Sequence, residues 1–331
     1  MAQEVITILG GGSWGTALAV VLAERFERVY LWVHQPELAR RMQETRENDV
    51  YLPGFRLPAN VIVSSEMRLS PWILSVVPSR HLRSVLSEAA ALAQDPLKII
   101  SATKGIEPRT FLRMSEIAEQ CFAGKLATMP AVLTGPTFAR EVAAGEPAAM
   151  VVASRDEAFA QEIQTSFVAG NLRFYTNPDV TGVELCAALK NVIAIAAGAV
   201  EGLQLGSNST AALITRGLSE ISRLVVASGG LAASVSGLAG LGDLVLTCTG
   251  QLSRNRRVGI ELAKGRRLTE ILSDTRMVAE GVETTRVALE LAARLEVEMP
   301  IMQAVAAMMD GQPALDSLRQ LIARAARSEV S

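Results

Sequence analysis

The sequence predicts an α/β fold, with a doubly wound, mostly parallel sheet in the first half and an all-helical C-terminal domain behind it. Three observations carry this reading. A glycine-rich turn follows directly on an apolar strand near the start, short strands alternate with amphipathic helices up to Asn177-Pro178, and only helical spacing follows. At 331 residues the chain has room for about two domains. Its 49% hydrophobic and 20% charged residues allow sizeable cores and argue against disorder.

The opening strand, Val5–Leu9, enters Gly10-Gly11-Gly12-Ser13-Trp14-Gly15 and runs at once into Thr16-Ala17-Leu18-Ala19. In this Gly-x-Gly-x-x-Gly turn Gly10 permits the tight bend, Gly12 lets the backbone approach a pyrophosphate, and Gly15 lets the helix pack closely on the strand. The first N–H groups of the helix would then meet the phosphate charge. Glycine-rich turns are common. A strand before and a helix after supply the context that marks a dinucleotide site, and they make the predicted sheet Rossmann-type.

Further strands are expected at Val29–Val33, Val61–Val63, Ile73–Val77, Lys98–Ser101, Ala131–Thr134, Met150–Ala153 and Arg173–Tyr175. Amphipathic helices are expected over Thr16–Arg25, His81–Ala93, Thr110–Cys121 and Glu157–Ala169. Such alternation calls for parallel strands covered by helices on both faces. From Val183 the apolar residues keep helical spacing (Leu185, Leu189, Val192, Ile193, Ala196, then Leu213, Leu218, Ile221, Val225), and Val282–Leu295 and Pro300–Met309 continue it. The domains are therefore set at 1–178, dinucleotide-binding, and 179–331, helical.

A formal charge of −2 without long runs of one sign argues against a nucleic-acid partner. Cys121, Cys186 and Cys248 lack metal-ligand spacing and read as reduced thiols of a cytosolic protein. No basic leader precedes Val5. The uncharged stretch Leu224–Gly242 is as long as a membrane span, but Gly229, Gly230, Gly237, Gly240 and Gly242 favour a helix end and a tight buried loop. The expectation is a soluble, cytoplasmic protein with no membrane span.

Several residues could carry chemistry. Where an NAD-preferring fold usually places a carboxylate, roughly 20 residues past the glycines, this chain has His34 and Gln35. Without that carboxylate a 2′-phosphate is not repelled, so NADP is acceptable; the alternative is a solvated loop histidine. Lys104, at a strand end ahead of Gly105, could reach a phosphate or carbonyl oxygen, or be an ordinary surface lysine. Thr137, in Gly135-Pro136-Thr137, could cap the next helix. Lys190 lies in a helix that is apolar nearly all round, with Asn191 beside it. A buried lysine suits acid–base work, although a core lysine can also snorkel to the surface. Asp243, alone among glycines, could pair with a lysine or merely cap a helix. Arg254 and Asn255 offer donors suited to a phosphate dianion, whereas Arg256 and Arg257 read as a solvated basic face.

Taken in order, the blocks Gly10–Ala19, Ala102–Glu107, Gly135–Glu141, Leu189–Asn191, Asn208–Glu220, Gly237–Thr249, Ser253–Val258 and Val278–Glu283 resemble the bacterial NAD(P)-dependent sn-glycerol-3-phosphate dehydrogenases over essentially the whole chain. The resemblance implies reversible reduction of dihydroxyacetone phosphate to sn-glycerol 3-phosphate for phospholipid synthesis. From the missing carboxylate at His34 and Gln35, NADPH is expected to be favoured over or equal to NADH, and a homodimer is expected. It implies that Ser13, Trp14, His34, Lys104, Ala139, Arg254, Val278 and Glu280 line the cofactor. Lys104, Gly135, Thr137, Lys190, Asp243, Ser253, Arg254 and Asn255 would surround the substrate, with Lys190 as proton donor or acceptor. Gly11 and Thr137 stand where alanine and serine are frequent, and Ser207 where asparagine is common. No metal is required. Two alternatives stay open on the residues alone: a 3-hydroxyacid dehydrogenase of the same architecture, and a non-catalytic NADP sensor.

Overall fold

The computed structural model describes residues 3–274 and 279–324. Its strands are β1 (Gln3–Leu9), β2 (Phe26–Trp32), β3 (Glu47–Asn48), β4 (Leu52–Arg56), β5 (Val61–Ser64), β6 (Trp72–Ser75), β7 (Lys98–Ser101), β8 (Ala131–Thr134), β9 (Ala148–Ser154) and β10 (Leu172–Asn177). Among them run α1 (Ser13–Leu22), α2 (Pro36–Thr45), α3 (Ser79–Leu92), α4 (Met114–Cys121), α5 (Ala139–Ala143) and α6 (Glu157–Ser166). Then follow α7 (Val180–Gly202), α8 (Ser207–Ala227), α9 (Ala232–Val235), a π-helical turn at Leu238–Gly242 and α10 (Asp243–Thr249). The described helices end with α11 (Arg254–Ala263), α12 (Leu268–Ser273), α13 (Glu280–Arg294), α14 (Pro300–Met309) and α15 (Ala314–Ile322).

Eight strands form one sheet in the order β10-β9-β8-β7-β6-β1-β2-β5, while β3 and β4 make a separate antiparallel hairpin. With the hairpin set aside, the strands from β5 to β8 follow the doubly wound order, in which winding reverses between β1 and β6. These six are parallel, as expected. By contrast, β9 pairs antiparallel with β8, and β10 runs parallel to β9. The five residues of α5 are too few to carry the chain back along β8, so β9 starts near the end where β8 stops.

Strands covered on both faces must be apolar throughout, which explains the continuous runs. Ile6, Ile8 and Leu31 pack with Leu18 and Leu22 of α1. Leu9, Ile73 and Ile99 pack on the other side with Leu82, Leu86 and Ile117. Element ends differ from expectation by a few residues: β2 starts at Phe26, and β6 stops at Ser75, past which Val76 N still donates to Leu9 O. The hairpin is absent from the expected elements, since a two-residue β3 and the Pro53-Gly54 break in β4 leave no periodicity to read.

By its contacts the chain divides into two units. One comprises Met1–Ala187 with Gly230–Asp243, and the other Ala188–Gly229 with Leu244–Ser331. Helix α7 has the length and apolarity of a membrane span, but its most apolar window is wholly buried in the protein, as in a core helix. The expected buried loop within Leu224–Gly242 is instead α9 followed by the π-helical turn, and Leu231 ahead of it is exposed. Gly240 makes the turn possible, because a Cβ there would lie 2.0 Å from Val235 O.

Candidate active site

The glycine turn sits at the carboxyl end of β1, at the point where winding reverses. Gly10 has φ +125°, and a Cβ on it would meet the Val76 backbone at 2.9 Å. At Gly15 a Cβ would lie 1.9 Å from Gly10 O, so only glycine lets α1 close onto the turn. Gly12 differs: nothing lies within 4 Å of its missing Cβ. It is also the N-cap of α1, which has no side-chain cap and no acidic residue in its first turn. The positive end of the helix is thus open to an anion. Ser13 and Trp14 are half-buried on the same turn, and His34 is exposed just past β2, its ring 5.8 Å from that of Trp32.

Lys104 follows β7, and its Nζ donates to Asp243 Oδ2 at 3.0 Å. The lysine side chain is 17% exposed and the carboxylate 1%, so this is an interior ion pair and not a surface lysine. Gly135, with φ +153°, presses its backbone on β9, where a Cβ would meet Ala149 O at 2.8 Å. Thr137 does not cap α5. Its hydroxyl donates to Gly135 O at 3.2 Å, the N-cap is Phe138, and Ala139 opens the helix half-buried.

Sequence reasoning missed two buried carboxylates in the same unit. Asp179 accepts from Gly182 N, Leu231 N and Ser234 Oγ, which ties the start of α7 to α9. Glu184 accepts from Ser115 N, Ser115 Oγ and Arg113 Nη1, and burial drives its carboxyl upward despite the Arg113 guanidinium. A carboxylate among apolar neighbours on one helix was the available signal. Burial, with Asp179 and Asp243 adding to it, also pushes the Cys186 thiol up to about 12, which keeps it inert.

In the second unit Lys190 is 5% exposed, and its Nζ donates to Thr247 Oγ1 at 2.7 Å. The lysine does not snorkel to the surface. Ser253 is the N-cap of α11, its hydroxyl accepting from Arg256 N. Arg254 and Asn255 are the first residues of that helix, which carries no acidic side chain in its first turn. Arg254 is exposed, whereas Asn255 is buried, donating to Asn191 Oδ1 and accepting from Gly281 N. Arg256 departs from the solvated reading, since it is largely buried and ion-paired with Glu201, while Arg257 is exposed. Glu280 opens α13; Val278 lies outside the described residues.

An open, uncapped glycine turn where a doubly wound sheet reverses is the mark of the dinucleotide-binding α/β proteins. Comparison with known proteins is more specific. Residues 5–160 match the NAD-dependent glycerol-3-phosphate dehydrogenase N-terminus, and residues 179–320 match the C-terminus of the same family. A glycerol-3-phosphate dehydrogenase [NAD(P)+] of Koribacter versatilis is 48% identical over 98% of both chains. That of Acidobacterium capsulatum is 49% identical over 98% of this chain and 99% of its own. The crystal structure of glycerol-3-phosphate dehydrogenase from Coxiella burnetii superposes with a TM-score of 0.92 at 37% identity, covering 97% of this chain and 99% of its own. The chain belongs to the NAD-dependent glycerol-3-phosphate dehydrogenase family. Both alternatives left open by the residues give way to this. The open cradle at Gly12 and the uncapped α1 fit the diphosphate of the nicotinamide dinucleotide that the family uses.

Proposed function

We propose that this protein reversibly reduces dihydroxyacetone phosphate to sn-glycerol 3-phosphate with NADPH or NADH, supplying glycerophospholipid synthesis. The observation that carries the reading is Lys190, a buried cation on an apolar helix, held by Thr247 in a chain that both family models match. The dinucleotide, when bound, supplies the hydride. Reduction leaves developing negative charge on the ketone oxygen, which the protein must protonate and screen.

Lys190 donates that proton and takes it back in the oxidative direction. The Thr247 hydroxyl accepts one of its three N–H bonds and sets where the ammonium lies. Lys104, held by Asp243, screens the oxygen. The α11 N-terminus receives the substrate phosphate: Ser253, Arg254 and Asn255 combine the helix dipole with forked and amide donors. Gly135 and Thr137 contribute backbone and hydroxyl groups to the same substrate.

Gly10, Gly12, Ser13, Trp14 and Gly15 hold the pyrophosphate. His34 lies on the ribose side, and Lys104, Ala139, Arg254 and Glu280 line the remainder of the cofactor. With His34 and Gln35 after β2 in place of a carboxylate, NADPH is accepted at least as well as NADH. Residues 1–178 serve as the dinucleotide-binding domain and 179–331 as the catalytic one. The enzyme works in the cytoplasm as a homodimer, which sedimentation velocity checks.

The test is NADPH and NADH oxidation, followed by absorbance, with dihydroxyacetone phosphate against small 2-keto acids. Turnover on dihydroxyacetone phosphate is expected. Turnover on a keto acid alone, or cofactor binding without turnover on any ketone, overturns the proposal.

A further inference from the structure

The β3–β4 hairpin has no part in the sheet, yet it carries Asn48, a wholly buried amide aimed at the glycine turn. Asn48 Nδ2 donates to Gly11 O at 2.9 Å and to Thr16 Oγ1 at 2.8 Å. Its Oδ1 accepts from Tyr51 N at 3.1 Å, which fixes which end of the amide is which. Both donors and the acceptor are therefore engaged, two of them on the turn and the first turn of α1.

The consequence follows from peptide geometry. In a trans peptide the C=O and the following N–H point in opposite directions. Pulling the Gly11 carbonyl toward Asn48 aims the Gly12 N–H the other way. Gly11 is also hemmed in by Val33, since a Cβ on it would lie 2.5 Å from Val33 Cγ2. Gly12 itself has nothing within 4 Å of its missing Cβ. One peptide is thus gripped by the hairpin and by Val33 just past β2, and the side of Gly12 on which a Cβ would stand is clear.

We propose that Asn48 is a positioning residue for the cofactor: it orients the Gly11–Gly12 peptide so that the Gly12 N–H is preset for a diphosphate. Glycine residues lose the most conformational freedom on ordering, and a preset donor binds without that cost being met at binding. The proposal rests on the glycine turn being the pyrophosphate site.

The experiment uses the full chain carrying Asn48→Asp, an isosteric change that removes both donors. ADP-ribose binding is measured by calorimetry, alongside steady-state kinetics. The ADP-ribose Kd and the KM for NADPH should rise tenfold or more, while kcat at saturating NADPH and the KM for dihydroxyacetone phosphate stay within twofold. An ADP-ribose Kd within twofold of the parent overturns the proposal, and so does a parallel loss in all four quantities, which marks general loosening. Gly12→Val, made in parallel, separates the two readings. If it leaves ADP-ribose binding unmoved, the turn is not the pyrophosphate site; if it weakens binding and Asn48→Asp does not, the role of Asn48 alone fails. Should Asn48→Asp not fold, Thr16→Val removes one of its anchors and should raise the ADP-ribose Kd several-fold, with Thr16→Ser restoring it. Equal affinities for the two Thr16 variants then overturn the proposal.

Discussion

Asn255 Nδ2 donates to Asn191 Oδ1 at 2.9 Å, joining the amide proposed to read the substrate phosphate to the chain neighbour of Lys190. The other end of the same amide accepts from Gly281 N at 3.0 Å. A Cβ on Gly281 would lie 2.6 Å from Asn191 O and 2.8 Å from Asn255 Oδ1, so the contact requires glycine. One side chain therefore joins α7, α11 and the first turn of α13.

This changes what removing it should do. Asn255→Ala should weaken dihydroxyacetone phosphate by about 1–3 kcal/mol, the scale of a hydrogen bond to a charged group, and should lower stability by a similar amount. Urea denaturation and substrate kinetics on the same preparation check both. Phosphate-free dihydroxyacetone should be far less sensitive to the change. Equal losses on the two substrates would show that Asn255 serves the fold and does not read phosphate.

Lys190→Met should lower kcat by about 10²-fold or more while leaving NADPH affinity nearly unchanged. Thr247→Val, which keeps the lysine and removes its hydroxyl partner, should lose less, on the order of 10-fold. Rates and NADPH titrations are the measurements. Activity of the Lys190 variant within a few-fold of the parent would take Lys190 out of the acid–base role.

His34 stands exposed just past β2, where its replacement should disturb packing little. His34→Asp should raise the KM for NADPH and spare NADH, since a carboxylate there repels a 2′-phosphate. The ratio of kcat/KM for the two cofactors reads this out. An unchanged ratio would remove His34 from the ribose site.

Glu220 supplies a pH test of stability. It is 2% exposed and accepts from Ile301 N and Met302 N, capping α14 from α8. Burial pushes its carboxyl from 4.5 to about 7, against the lowering pull of those N–H bonds and of Arg223 and Arg324. The folded chain therefore holds a proton that the unfolded chain releases near 4.5. The stabilisation is complete below that pH and is lost as the pH rises through about 7. The decline should amount to about 3 kcal/mol between pH 4 and pH 8. Chemical denaturation across that range should show Glu220→Gln with a flatter profile than the parent; identical profiles would reject the assignment.

Local chemistry made much of this legible in the chain. An apolar run, three glycines at fixed spacing and a helix-forming stretch need no distant partner to specify strand, turn and helix, so the dinucleotide turn could be read directly. Lys190 was conspicuous because a cation on an apolar helix has few explanations. The β3–β4 hairpin was not legible, because two residues and a proline-glycine break carry no period. The reversal of β9 was hidden for another reason: burial pattern reports which faces are covered and is blind to strand direction.

What the sequence determined by itself was the set of groups present and the local elements bearing them: the open helix at Gly12, a lysine at 190, a carboxylate at 243 and a helix beginning at Arg254 with no acidic residue in its first turn. Only the tertiary structure decided which of these groups are tied to which. Asp243 binds Lys104, 139 residues away in the chain, and Asn255 binds Asn191, 64 residues away. Asn48 reaches back to Gly11, 37 residues away. Hydrogen bonds and ion pairs act over a few ångströms of space, and the partner at that range is chosen by how the strands and helices pack. Residues so far apart in sequence carry no local mark of one another, and their pairing exists only once the chain has folded.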